Sequence, residues 1–212
     1  MEMKKFLEQL SSDRPTPGGG SASALAGATS ASLVAMVAGL SSRRSQTGRQ
    51  EMEEMEEMEE MEEMKKKALA VQKRLFRAID EDSKSFDAVM KAFRLPRNSE
   101  RERLRRSKEI QKAYQRATLT PQLVCQHSLQ LLGYSKTLIV KGNPNAISDA
   151  GVAAFLADAA MAGGLLNIGI NLAAVTDKTF AKKMNSLMRN WARRRNQLMK
   201  AILMKLIGTH QV

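Results

Sequence analysis

Apolar and polar residues follow one another along this chain with the spacing of helices, and proline and glycine mark the breaks. An amphipathic helix is predicted from about Glu2 to Leu10. A second helix follows the glycines at 18–20 and runs to about Leu40. From about Gln50 to Phe93 there is neither proline nor glycine, and strong helix formers dominate, which predicts one long helix.

The second half of the chain contains three further predicted helices, over about 99–120, 146–175 and 177–207. Each has capping residues near its start, in order Asn98 or Ser99 with Glu102, Asn145 or Ser148, and Asp177. Pro121 is predicted to begin a turn or kink between the first two.

Small side chains make up two of these helices, over about 22–31 and 150–174. Alanine, glycine and serine let another backbone come close, so both helices are interpreted as buried and close-packed. The predicted fold is all-α, an up-and-down multi-helical bundle with one long helix, in a single domain over 1–212. A bundle of this size is too small to bury both helices completely, which predicts a homodimer or a higher homo-oligomer.

A Met/Glu repeat occupies 51–64 of the long helix. Its methionines recur every third residue, so each falls about 60° behind the last and they cannot form one straight stripe. The segment is therefore predicted to be low-complexity, largely solvated and dispensable, with a methionine-rich partner surface as the alternative.

The amino-acid composition excludes several kinds of fold and site. Aromatic residues are 4% of the chain and good helix formers are plentiful, which excludes an all-β fold. The single cysteine and two histidines exclude an internal disulfide and a thiolate zinc site, so no metal is expected. The amino terminus does not read as a secretory signal, and the uncharged stretch at 18–42 is too rich in small residues for a membrane span, so a cytoplasmic protein without a membrane partner is expected.

The formal net charge of +12 favours anionic partners. The few aromatic residues make nucleic acid an unlikely partner.

Three segments carry residues that a plain bundle does not need. Pro17, Gly18, Gly19, Gly20 and Ser21 would expose N–H groups at a helix start, unless they form only a tight turn. Asp80 and Asp82 lie inside the long helix, where aspartate is unfavourable, and a solvated acidic face is the simpler interpretation. Asp149 lies in the first turn of an apolar helix, as a cap or as a shielded carboxylate suited to proton transfer.

Taken together, the ordered motifs resemble one family, the cyclodeaminase domain of formiminotransferase-cyclodeaminase with its stand-alone bacterial relatives, including methenyltetrahydrofolate cyclohydrolases. The strings that carry the resemblance are PTPGGGSASALAG (15–27), IDEDSKSFDAVMKAFRLPRN (79–98), GNPNAISDAGVAA (142–154) and LLNIGINLAAVTD (165–177). The Met/Glu repeat departs from the family pattern. So does SSRRSQ at 41–46, where relatives often have a threonine and an aromatic residue flanking the basic pair.

The resemblance implies a dimerising helical enzyme that cyclises 5-formiminotetrahydrofolate to 5,10-methenyltetrahydrofolate with loss of ammonia. This reaction requires no metal or redox cofactor, and the tetrahydrofolate derivative takes part as the substrate. Asp149 is the expected proton-transfer group, with Asp80 and Asp82 as second candidates. The expected substrate-binding residues are Pro17, Gly18, Gly19, Gly20, Ser21, Asn145, Ser148, Asn167 and Asn171.

Two alternatives remain open at this stage. The first is methenyltetrahydrofolate cyclohydrolase, in which the same pocket delivers water to the methenyl carbon. The second, from another class, is an inactive basic helical protein that binds RNA or a protein partner.

The basic residues of 91–116 and 182–195 also predict a preference for polyglutamylated folate, which carries several carboxylates.

Overall fold

The computed structural model describes residues 2–42 and 51–209. Within these ranges the regular structure is entirely helical, which confirms the all-α prediction and the single long helix. In chain order the elements are α1 (Met3–Leu10), α2 (Gly19–Ser42), α3 (Glu51–Phe93), α4 (Glu100–Ala117), α5 (Leu119–Lys141), a 3-10 turn (Pro144–Ala146), α6 (Ile147–Ala173) and α7 (Lys178–Thr209). Gln50, and all but the first two residues of the departing string at 41–46, lie outside the described residues.

Helices α2 and α3 run antiparallel. Ser21, at the start of α2, contacts Asp82 late in α3, whereas Ser42, at the end of α2, donates to Glu62 early in α3. Between α6 and α7 the same order holds, because Asp158 pairs with Arg195 while the earlier Gly151 lies against Leu206. These pairs follow the predicted up-and-down topology, whereas α4 and α5 both run antiparallel to α3, since Thr120 lies near Ser85 while Lys141 pairs with Glu60.

Helix α2 lies at the centre, packed against α3, α5 and α6. Its small residues allow this close packing. A Cβ at Gly27 would lie 2.9 Å from Leu75 Cδ1, so any larger residue would require the Leu75 side chain to shift. The prediction that α2 is a buried helix is confirmed.

Two helices are long and apolar enough to cross a membrane by length and composition, α2 and the segment Pro144–Ala173 that contains α6. Core packing accounts for α2, since 61% of its apolar window is buried inside the protein. The segment that contains α6 is less buried, with 39% of its apolar window inside the protein.

The capping predictions succeed in part. Ser99 and Glu102 form the predicted capping box of α4, and Asp177 accepts hydrogen bonds from two N–H groups at the start of α7. Neither Asn145 nor Ser148 caps α6, whose first residue has no side-chain cap; Asn143 instead caps the preceding 3-10 turn. Pro121 does not begin a turn, because it lies in the first turn of α5, where its missing N–H would have no helical partner.

The prediction that the Met/Glu repeat is largely solvated is wrong for its second half. Met61 is 3% exposed and Met64 is also buried, whereas Met55 is 61% exposed and Met58 lies outside the core. The buried pair begins a stripe of alternating three- and four-residue steps along α3, which continues through Ala68, Val71, Leu75 and Ala78. Of the described methionines of the repeat, Met55 and Met58 therefore face solvent, and Met61 and Met64 face the core.

This burial predicts opposite outcomes for neighbouring methionines. Met61→Gln places an amide in an apolar core and should lower the free energy of unfolding by about 2–4 kcal/mol. Met55→Gln with Met58→Gln should change it by less than about 0.5 kcal/mol each, because both side chains already face water. Urea unfolding curves of the variants measure the difference, and equal midpoints for all of them would contradict the placement of Met61 in the core.

Candidate active site

A cavity of about 270 Å³ lies where the start of α2, the last third of α3, the end of α4 and the end of α6 meet. It contains parts of three of the four strings that carry the family resemblance, 15–27, 79–98 and 165–177. Its lining residues are Pro15, Thr16, Gly18, Gly19, Gly20, Asp82, Ser85, Phe86, Val89, Met90, Phe93, Tyr114, Ala117, Asn167, Ile170 and Asn171.

Asp82 provides the carboxylate in this lining, and α2 holds it. The hydroxyl of the fully buried Ser21 lies 3.0 Å from Asp82 Oδ2 and 3.0 Å from the carbonyl oxygen of Ile79, and can donate to either. Gly20 faces the same carboxylate, and a Cβ at this position would overlap it. The missing side chain of Gly20 thus makes the space in which Asp82 lies.

Burial raises the pKa of the Asp82 carboxyl above its ordinary value of 3.8, while hydrogen bonds from Ser21 partly oppose the rise. A carboxyl whose pKa moves toward neutrality is able to accept and return a proton more readily than an ordinary surface aspartate. Asp82 therefore has the properties of a general acid or base.

The raised pKa also predicts a pH-dependent effect on stability. Because folding favours the protonated form, the contribution of Asp82 is complete below its ordinary pKa and is lost as the pH rises through the folded pKa. Asp82→Asn removes that loss. The variant should melt at a higher temperature than the wild type near neutral pH and at the same temperature below the ordinary pKa. A variant that melts lower than the wild type near neutral pH would show that the Ser21 hydrogen bond outweighs burial.

Two amides complete the polar end of the cavity. Asn167 donates to the carbonyl of Gly163 at 2.8 Å, and Asn171 donates to the carbonyl of Ala117 at 2.9 Å. These bonds fix both side chains, while each amide retains an oxygen that can accept from a ligand N–H. The N–H groups of the first turn of α2 have no partner within their own helix and supply donors beside the same space.

The structure does not bring the other predicted residues to this cavity. Asp149 precedes Asn167 by 18 residues of the continuous helix α6, which places it about 27 Å away along the axis. Asn145 and Ser148 are exposed at that same far end. Asp80 is exposed and lies about 200° around α3 from Asp82, and Pro17 adjoins the glycines without lining the cavity.

An apolar wall was missed by sequence reasoning. Phe86, Met90 and Phe93 follow Asp82 along one side of α3, and Tyr114 and Ile170 face them from α4 and α6. The spacing of four, four and three residues from Asp82 is the signal that could have identified this wall, because such spacing places side chains on one helix face.

Within the described residues, neither the single cysteine nor a metal-binding cluster offers a competing site. Burial raises the pKa of the Cys125 thiol to about 12, so it is not a thiolate near neutral pH. Over residues 2–42 and 51–209, no three histidine, cysteine, aspartate or glutamate side chains gather as a metal ion would require.

Comparison with known proteins identifies relatives along most of the chain. Residues 2–190 match the family model described as formiminotransferase-cyclodeaminase. The chain is 35% identical over 181 residues to the methenyltetrahydrofolate cyclohydrolase of Methylorubrum extorquens, covering 85% of this chain and 84% of that protein. The mouse formimidoyltransferase-cyclodeaminase is 32% identical over 114 residues, which are 54% of this chain and 21% of the mouse protein.

A solved structure gives the same result for the fold. The formiminotetrahydrofolate cyclodeaminase of Thermotoga maritima superposes with a TM-score of 0.85 at 27% identity, over 99% of this chain and 97% of that one. The matches define a class, the helical enzymes of folate one-carbon chemistry. The chain belongs to the formiminotransferase-cyclodeaminase family.

Proposed function

We propose that this enzyme cyclises 5-formiminotetrahydrofolate to 5,10-methenyltetrahydrofolate and releases ammonia. The observation that carries the proposal is the half-buried Asp82 carboxyl, whose pKa is raised and which faces a cavity lined by glycine backbone and two fixed amides. Asp82 replaces Asp149 as the proposed proton-transfer group because, within one chain, Asp149 lies at the opposite end of α6 from this cavity.

The reaction moves one proton between two nitrogens on the same carbon. N10 attacks the formimino carbon and forms the C–N10 bond, and its proton passes to the Asp82 carboxylate. The carboxyl then gives that proton to the departing nitrogen, the C–N bond breaks, and ammonia leaves. Atoms and charge balance, because a formiminium cation becomes a methenyl cation and neutral ammonia. One carboxyl with a raised pKa can perform both transfers, and no cofactor is needed.

The second candidate is methenyltetrahydrofolate cyclohydrolase, favoured by the 35% identity to the enzyme of that name along most of both chains. In this case Asp82 would take a proton from water as the oxygen attacks the methenyl carbon and would return it to the nitrogen whose bond breaks, while the remaining hydroxyl proton leaves to solvent as the formyl C=O forms. The same cavity and carboxyl serve either reaction, so assays with both substrates must separate them.

Binding of a reduced folate is the first test of the proposal. A stable analogue such as 5-formyltetrahydrofolate should raise the melting temperature in proportion to the logarithm of its concentration, since it binds only the folded chain. Folic acid, whose oxidised pterin is flat, is the control ligand for comparison with the reduced folate. No shift with any reduced folate, together with tight RNA binding at physiological salt, would favour the basic binding protein instead.

The proposed assembly is a homodimer formed through the outer face of α6. Val152, Phe155 and Leu166 form a stripe along this face that continues to Ile170 at the mouth of the cavity, and Leu166 and Ile170 are 70% and 72% exposed. The four side chains expose apolar surface along one helix face, a feature typical of protein–protein contacts. In a two-fold symmetric dimer, each subunit buries this face against the same face of its partner.

Charge on this stripe should therefore separate the subunits. Phe155→Glu combined with Leu166→Glu is expected to yield monomers in sedimentation velocity at micromolar concentration, because two carboxylates per subunit would lie in an apolar interface. Leu104→Glu is the matched control, since Leu104 is equally exposed but lies on α4. A wild-type chain that sediments as a monomer would contradict the proposed assembly.

A further inference from the structure

The cavity changes character along α3. Its inner end is polar, with Asp82, the α2 glycines and Asn167. Its outer part is the row formed by Phe86, Met90 and Phe93, each partly exposed. From Asp82 to Phe93 the helix advances about 16 Å, so the row extends well beyond the carboxyl.

A cation marks the outer end of the row. The Arg106 guanidinium lies 5.5 Å from the centroid of the Phe93 ring, and its Nε donates to the Phe93 carbonyl at 3.1 Å. The Tyr114 ring meets Phe93 edge-on at 6.2 Å. Of the five N–H donors of Arg106, this contact uses one. Within residues 2–42 and 51–209 no carboxylate forms an ion pair with Arg106.

We infer, resting on the proposed function, that the outer part of the cavity binds the p-aminobenzoylglutamate portion of the folate. The benzoyl ring lies along Phe86, Met90 and Phe93, and a glutamate carboxylate pairs with Arg106. This direction places the pterin, with N5 and N10, at the end that contains Asp82.

The order of chemical groups supports this direction. A reduced folate presents a polar heterocycle, a flat apolar ring and a carboxylate in sequence, and the cavity presents polar groups, an aromatic row and a cation in the same sequence. The reverse direction would place the glutamate carboxylates against Asp82 and the pterin donors against a guanidinium, so like groups would oppose each other at both ends.

The test uses p-aminobenzoylglutamate, which lacks the pterin, as a probe in titration calorimetry. Phe86→Ala and Arg106→Gln should each weaken its binding about tenfold, because one loses an aromatic contact and the other a charge-assisted hydrogen bond. With the full substrate, both variants should raise KM by a similar factor and leave kcat within about twofold.

Two matched controls stand beside these variants. Phe76→Ala removes a comparably exposed phenylalanine from the same helix outside the cavity, and Arg105→Gln removes the neighbouring positive charge. Both should bind the probe as the wild type does.

Probe binding and KM that remain at control values in Phe86→Ala and Arg106→Gln, in an enzyme that still turns over folate, would overturn the inferred direction and leave the proposed function intact. A wild-type protein that neither binds nor converts any folate would overturn both.

Discussion

Replacing Asp82 by asparagine should reduce turnover at least a hundredfold while the fold remains intact. Asparagine has nearly the same size and can still accept the Ser21 hydrogen bond, but it can neither take the N10 proton nor return it to the leaving nitrogen. Loss of a positioned general acid or base costs about a hundredfold to ten-thousandfold in rate. The measurement is kcat from the methenyl absorbance, with circular dichroism to confirm folding.

Two further aspartates make this test specific. Asp87→Asn is the matched control, because Asp87 is exposed on the same helix and does not line the cavity. Asp149→Asn tests the assignment made from sequence and should retain turnover within about threefold, since Asp149 lies at the opposite end of α6. Full activity in Asp82→Asn with loss of activity in Asp149→Asn would reverse the assignment.

Gly20→Ala should have the second largest effect. The added methyl group would overlap the Asp82 carboxylate, so the carboxylate or the α2 helix start must move. A displacement of about 1 Å at a reacting group costs about a hundredfold in rate, and overpacking at such a site lowers the free energy of unfolding by about 1–3 kcal/mol. Kinetic assays and thermal melts of one variant measure both effects.

Gly19→Ala is the control for this substitution. A Cβ at Gly19 would lie 4.0 Å from Asn167 Nδ2, which is an ordinary contact, and the backbone N–H groups of the turn are retained. Turnover within a few fold of wild type is expected. Equal losses in the two alanine variants would show that the turn tolerates no side chain at all, independent of Asp82.

Much of the fold followed from sequence because its signals were local. The absence of proline and glycine between 51 and 93 determines the long helix, and the small residues of α2 allow its central position. The break between α4 and α5 was misplaced for a local reason as well. Thr118 interrupts the helix, while Pro121 is tolerated in the first turn that follows.

The Met/Glu repeat shows where local periodicity is insufficient. A repeat of three suggests no preferred face, yet Met61 and Met64 are buried because the stripe of residues that follows them on α3 sets which side faces α2. The core-facing side of a long helix depends on its whole length and on its neighbours.

The site was predictable in part. The glycines, Asp82, Asn167 and Asn171 were all identified from sequence and lie around one cavity. Asp149 was preferred over Asp82 because a carboxylate opening an apolar helix suggests shielding, but sequence does not reveal which end of α6 meets α2 and α3. Nor does it reveal that Gly20 opens space for a carboxylate more than 60 residues away.

The most direct test of the account is to mix the purified protein with 5-formiminotetrahydrofolate and to follow the methenyl absorbance and ammonia together. We expect the enzyme to form one methenyl group per ammonia released, and Asp82→Asn to form neither above the rate in buffer. Loss of added 5,10-methenyltetrahydrofolate without any ammonia production from the formimino substrate would identify the cyclohydrolase reaction. No change with either folate, from a folded wild-type protein, would contradict the assignment of a folate reaction to Asp82.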